Sequence, residues 1–154
     1  QASLTFVSQN FGAKKYDRIN KTIFISQCFV FLAGFIFGNL TVIFGKQLLS
    51  LYTDSPDVIA SGLDRLKIIC STYALCGMMD VMGNAIRGIG HSILPMIVSL
   101  IGVCGFRLIW IGTVFLIPKF HTCNTIFVSY PISWALTFIT HIICFLIIRK
   151  KIRK

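Results

Sequence analysis

The stretch Thr22–Gly45, TIFISQCFVFLAGFIFGNLTVIFG, runs for 24 residues without a charge. As an α-helix it would rise about 36 Å, more than the roughly 30 Å hydrocarbon core of a bilayer. The whole chain of 154 residues shares its character: 55% of residues are apolar and 13% charged, against about 25% charged in a soluble domain. The mean hydropathy is +0.80. A soluble fold of this length could not hide so much Phe, Ile and Leu, so the solvent implied is lipid.

Three further apolar segments follow, and the expected spans are about 22–45, 66–87, 92–118 and 125–148. Asp54-Ser55-Pro56 starts the second helix with a capping side chain and a proline in the first turn, and Gly88-Ile89-Gly90 ends it. Pro118–Asn124 is a polar turn. Before the first span, Gln1–Phe11 reads as the last turns of a helix begun earlier; the chain does not open on Met and is expected to be a fragment. The fold class is therefore an all-α membrane protein, a polytopic helical bundle of four complete transmembrane helices plus the end of a fifth. It forms a single partial transmembrane domain.

A formal charge of +10 on a soluble protein would suggest nucleic acid. Here the basic residues cluster between apolar runs, which is a topology signal. Four crossings put loop 12–21, turn 87–91 and tail 149–154 on one side. That side carries Lys14, Lys15, Arg18, Lys21, Arg87, Arg149, Lys150, Lys151, Arg153 and Lys154 against the one acid Asp17. The other side has Lys46, Arg65, Lys67 and Lys119, offset by Asp54, Asp57 and Asp64. Excess Lys and Arg marks the cytoplasm, so no nucleic-acid partner is implied. The six cysteines show no C-x-x-C spacing and read as small buried hydrophobes.

The second span is the most informative. Tyr73, Cys76, Asp80, Asn84 and Arg87 recur every three or four residues and share a face. A carboxylate facing lipid costs several kcal/mol, so this face should look into protein or water. Asp80 is either a cation or proton site or part of a structural network with Asn84, Arg87 snorkelling to the interface. Arg107, central in the third span, needs an internal partner or wet cavity; Asp80 is one candidate. In the first span Gly34, Gly38, Thr41 and Gly45 make a small-residue seam. In the fourth, Ser129, Ser133, Thr137 and His141 form a polar stripe that could line a cavity or bond neighbouring helices, and Pro131 is placed to kink it. His141 is read as a packing residue that could titrate near neutrality. Trp110, Tyr130 and Trp134 read as interface aromatics. There is no catalytic triad, zinc motif, phosphate loop or dinucleotide loop, so no catalytic or metal residues and no cofactor are expected.

Thr5-Phe-Val-Ser-Gln-Asn-Phe-Gly-Ala-Lys-Lys-Tyr-Asp-Arg18 resembles the helix-end motif of multidrug and toxic compound extrusion transporters, with Gln9, Asn10, Gly12 and Arg18 at its motif positions. Asn84-Ala-Ile-Arg-Gly-Ile-Gly90 resembles that family's arginine-glycine turn, through Arg87, Gly88 and Gly90. Leu48–Val58 resembles the outer loop between them, and Tyr130-Pro-Ile-Ser-Trp134, with Pro131 and Trp134, resembles the final helix of the DNA-damage-inducible-F-like bacterial branch. The resemblance implies twelve helices in two lobes, with this chain running from the end of helix 8 through helix 12 of the second lobe. It implies a multidrug efflux antiporter in a bacterial plasma membrane, exporting small organic, often cationic, compounds in exchange for H+ or Na+. Its partners would be the bilayer, the substrate and the missing N-terminal lobe. The alternatives are a lipid-linked oligosaccharide flippase of the same superfamily and a non-transporting membrane scaffold.

Overall fold

The structure is a computed structural model that describes residues 1–152; Arg153 and Lys154 of the expected tail lie outside the described residues. The described residues form eight α-helices: α1 (Ala2–Gly12), α2 (Tyr16–Ile43), α3 (Gly45–Ser50), α4 (Pro56–Ser71), α5 (Tyr73–Gly88), α6 (Ile93–Ser99), α7 (Phe106–Thr113) and α8 (Cys123–Ile152). A π-helical segment, Leu100–Gly105, joins α6 to α7, and a short 3₁₀ turn, Pro118–Phe120, precedes α8. The molecule is an all-α membrane helical bundle. Three units are long and apolar enough to cross a membrane, Tyr16–Ile43, Ile93–Thr113 and Cys123–Ile152, and α4 with α5 makes a fourth, bent by 42°.

Loops shrink relative to the sequence reading. The basic stretch 12–21 is non-helical only around Ala13–Lys15, because Tyr16 already begins α2 and Asp17 sits in its first turn, where a carboxylate favours the positive helix end. The connection between the first span and Pro56 winds partly into α3, over Gly45–Ser50. Arg149, Lys150 and Lys151 lie in the last turn of α8, at its negative end. Pro56 does start α4, but Ser55 makes no side-chain cap bond; its own N–H is held by the Thr53 hydroxyl at 3.2 Å.

The bend between α4 and α5 has a local cause. The Thr72 hydroxyl donates to the carbonyl of Ile68 at 2.8 Å, and Ser71 makes the same back-bond to Lys67. Such bonds compete with the helical ladder and bend it. The ladder then restarts with a tight Leu75 N–H to Thr72 carbonyl bond of 3.0 Å.

α5 is the hub, packed against α1, α2, α6 and α8. Lipid offers no hydrophobic drive between helices, so close approach through small residues does the work. A Cβ on Gly34 would stand 2.8 Å from the Cα of Ala74, and one on Gly38 would strike the carbonyl of Cys70. In return, Val30 of α2 fills the space over Gly77, and Val7 of α1 that over Gly88, 2.9 Å from a Cβ there. Gly45 closes against Leu63 and Leu66. The Thr41 hydroxyl turns back to the Phe37 carbonyl of its own helix at 2.8 Å. Away from α5, Phe24, Phe29 and Phe37 are 70%, 75% and 69% exposed. Leaving each in water would forfeit about 1.5–3 kcal/mol, so this face belongs against lipid or protein.

Both ends of the α1 and α5 motifs close with one hydrogen-bond pattern. At α5, Gly90 N–H donates to Arg87 and His91 N–H to Ile86, with Gly90 at φ +92°. At α1, Lys14 N–H donates to Phe11 and Lys15 N–H to Asn10, with Lys14 at φ +56°. These are paired left-handed C-caps.

Two predictions follow from this packing. Gly38→Leu should lower the melting temperature of the purified full-length protein, an overpacking cost of about 1–3 kcal/mol, whereas Gly12→Leu, with nothing within 4 Å of its Cβ position, should not. Equal melting of the two would remove the seam. Lys14→Gly should stabilise and Gly90→Ala destabilise by about 1 kcal/mol each, since L side chains resist the left-handed region; chemical unfolding in detergent measures both signs.

Candidate functional site

The candidate residues on α5 lie on its less buried side. Tyr73, Asp80 and Arg87 are exposed and Cys76 and Asn84 half-buried, while Ala74, Met79, Val81, Met82, Ala85 and Ile86 of the same helix are buried. The face therefore arises from the sequence period meeting a bundle that covers only the apolar side of α5. Arg87 donates from its guanidinium to the Asn84 side-chain carbonyl at 3.2 Å. Asp80 makes no ion pair among the described residues, where the one such pair is Lys67–Asp64 on α4. Its charged neighbours are Arg87 and His141.

Arg107 does not reach Asp80. Its guanidinium carbon lies 3.8 Å above the centre of the Tyr130 ring and 5.9 Å from that of Trp134. The π-helical segment immediately before α7 widens the turn that delivers it there; such segments re-aim side chains and concentrate at functional positions. Trp134 stands edge-on to both Tyr73 and Tyr130, at 6.3 and 6.0 Å. One end of the polar α5 face thus abuts an arginine-aromatic cluster, through Tyr73 and Trp134. The Arg107 Nε is buried and has no hydrogen-bond partner.

This arrangement corrects the readings of Trp134 and of the α8 stripe. Trp134 is 6% exposed, so it is a packing residue within the bundle and not an interface anchor. Trp110 donates its indole N–H to the Thr125 carbonyl at 3.0 Å, tying α7 to the start of α8. The stripe Ser129, Ser133, Thr137 and His141 neither lines a cavity nor bonds adjacent helices through its hydroxyls: all four are buried, and the hydroxyls donate to Ile126, Tyr130 and Ser133 carbonyls of their own helix at 2.6, 2.8 and 2.7 Å. Their small size matters instead, since Thr137 presses onto Gly102 of the π segment. α8 runs unbroken through Pro131.

The motif residues Gln9, Asn10, Gly12 and Arg18 lie apart from this cluster, at the end of α1 and the start of α2. Asn10 donates to the Phe6 carbonyl of its own helix at 2.8 Å. Gly88 and Gly90 serve contact and capping, as described above. Sequence reasoning passed over Gln27, whose amide donates to the Met78 carbonyl of α5 at 3.1 Å, and Gly83 and Pro95, which frame His141. Gln27 sits inside the uncharged first span, and its polarity there was the available signal; no spacing marks Pro95.

The arginine-aromatic contact gives a measurable coupling. In a double-mutant cycle, Arg107→Met and Tyr130→Leu should show an interaction energy of about 0.5–2 kcal/mol in unfolding of the full-length protein. Additive effects would show that the stacking carries no stability.

Comparison with known proteins follows the same geography. Residues 1–112, from α1 almost to the end of α7, match the family model MatE. Over 134 residues the chain is 22% identical to a protein named "Probable multidrug resistance protein YoeA" of Bacillus subtilis (strain 168), an alignment covering 86% of this chain and 28% of that protein. The chain thus spans under a third of the length of the curated relative it matches. The match over residues 1–112 takes in both capped helix ends and the α5 hub between them, and the chain belongs to the MatE family.

Proposed function

We propose that this chain is part of a secondary-active multidrug efflux antiporter, which exports small organic, often cationic, compounds in exchange for H+ or Na+. The observation that carries the reading is Asp80: a carboxylate at mid-helix in the hub α5, unpaired among the described residues, on a face shared with Asn84 and Arg87. A cation site needs such an acid. Family membership and the multidrug resistance name of the Bacillus subtilis relative support it. On this reading Asp80, Asn84, Tyr73, Cys76 and Arg107 border the second-lobe side of a cavity completed by an N-terminal lobe. The protein sits in a bacterial plasma membrane with its basic end, at the α1–α2 turn, Arg87 and Arg149–Lys151, in the cytoplasm. A flippase would need a strongly basic cavity, and the central base Arg107 is engaged with Tyr130. A scaffold has no use for an unpaired mid-helix acid.

Ethidium accumulation in cells expressing the full-length protein tests this. Asp80→Asn at normal protein levels should raise accumulation to that of cells without the protein. Unchanged efflux would remove Asp80 from the mechanism.

A further inference from the structure

His141 is 1% exposed, at the junction where α8 meets α5 and α6. Its Nε2 faces the carbonyl oxygen of Pro95 at 3.4 Å. A carbonyl only accepts, so in the neutral ring the proton resides on Nε2 and the lone pair on Nδ1. That Nδ1 is buried and has no hydrogen-bond partner. An unmade bond of this kind in a dry interior is costly, and an apolar side chain of similar size would have avoided it.

Backbone carbonyls of two helices, Pro95 of α6 and Met79 of α5, border the ring. The ring lies against Gly83, with Cε1 3.4 Å and Nδ1 3.8 Å from where a Cβ would be. Lacking that side chain, Gly83 leaves the α5 backbone open to the ring, and the Met79 carbonyl one turn earlier borders it. The charged groups facing His141 are Asp80 and Arg87 of α5. α6 and the π segment carry no acid, base or histidine, only Cys104. Arg107 sits over Tyr130, three turns away along α8.

We infer that His141 is a proton-binding site inside the bundle, taking up a proton at Nδ1 beside Asp80. The inference rests on the exporter reading for its role, where it makes the coupling ion a proton. The proton adds to the Nδ1 lone pair to give an imidazolium, and leaves by the same atom. Asp80 then links the buried histidine to the polar face of α5, so that protonation at one changes the field at the other.

The test is direct. Full-length protein carrying ¹⁵N-histidine is placed in lipid nanodiscs, and His141→Gln assigns the resonance. At about pH 8 the Nε2–H tautomer is expected, converting to imidazolium as the pH falls to about 4. A ring that stays neutral over that range, or bears its proton on Nδ1 at high pH, overturns the inference. In proteoliposomes, ethidium movement by the parent should vary with pH by up to about tenfold per unit, as one titrating group allows, and His141→Gln should flatten this to under about twofold. An unflattened profile overturns the inference. Titration of His141 without any proton-driven ethidium movement would sustain the proton site and sink the exporter reading.

Discussion

Each helix that approaches α5 does so over a missing side chain. Val30 of α2 sits over Gly77, Val7 of α1 over Gly88, and His141 of α8 over Gly83. In water, burial of apolar surface would hold such helices together at any spacing. In lipid the helices gain nothing by leaving hydrocarbon for one another, so dispersion at short range and a few hydrogen bonds must suffice. Short range demands glycine. Three glycines on one helix, each receiving a different neighbour, make α5 the piece on which the other positions depend.

The same constraint explains why polar chemistry collects on α5. Its glycines and small residues occupy the sides turned to α1, α2 and α8, leaving one strip uncovered. Tyr73, Cys76, Asp80, Asn84 and Arg87 fill that strip. Glycine packing and the candidate site are thus two faces of one helix, and displacement of any partner rotates the site. The capped ends add to this. Gly88 touches Val7 and Leu4 of α1 two residues before the left-handed cap at Gly90, so the motif that ends α5 also docks α1.

Much of this was legible in the sequence. The uncharged runs have a length that only a bilayer explains, and the period of the polar residues on α5 predicts a shared face whatever the neighbours are. The glycine seam Gly34–Gly38–Gly45 was visible as spacing, because close helix contact leaves a local mark at i, i+4 and i+11. Other features had no local mark. The bend at Thr72 depends on which of two competing hydrogen bonds its hydroxyl makes, and the helical winding of Tyr16–Lys21 won over the loop that charge alone suggested.

The sequence by itself determined the solvent, the number of apolar segments, the distribution of charge between their ends and the polar strip of α5, since each rests on hydrophobicity and helical period within one segment. Only the tertiary structure decided the pairings. Arg107 is held by the face of Tyr130 rather than by the acid Asp80, and the hydroxyl stripe of α8 is buried against Gly102 and its own backbone rather than open to a cavity. It also decided that Nε2 of His141 faces the Pro95 carbonyl while Nδ1 makes no hydrogen bond among the described residues. The physical reason is common to all three: a side chain's partner is set by how two helices rotate and approach. That is a property of the contact between segments, which the residues of either one alone do not contain.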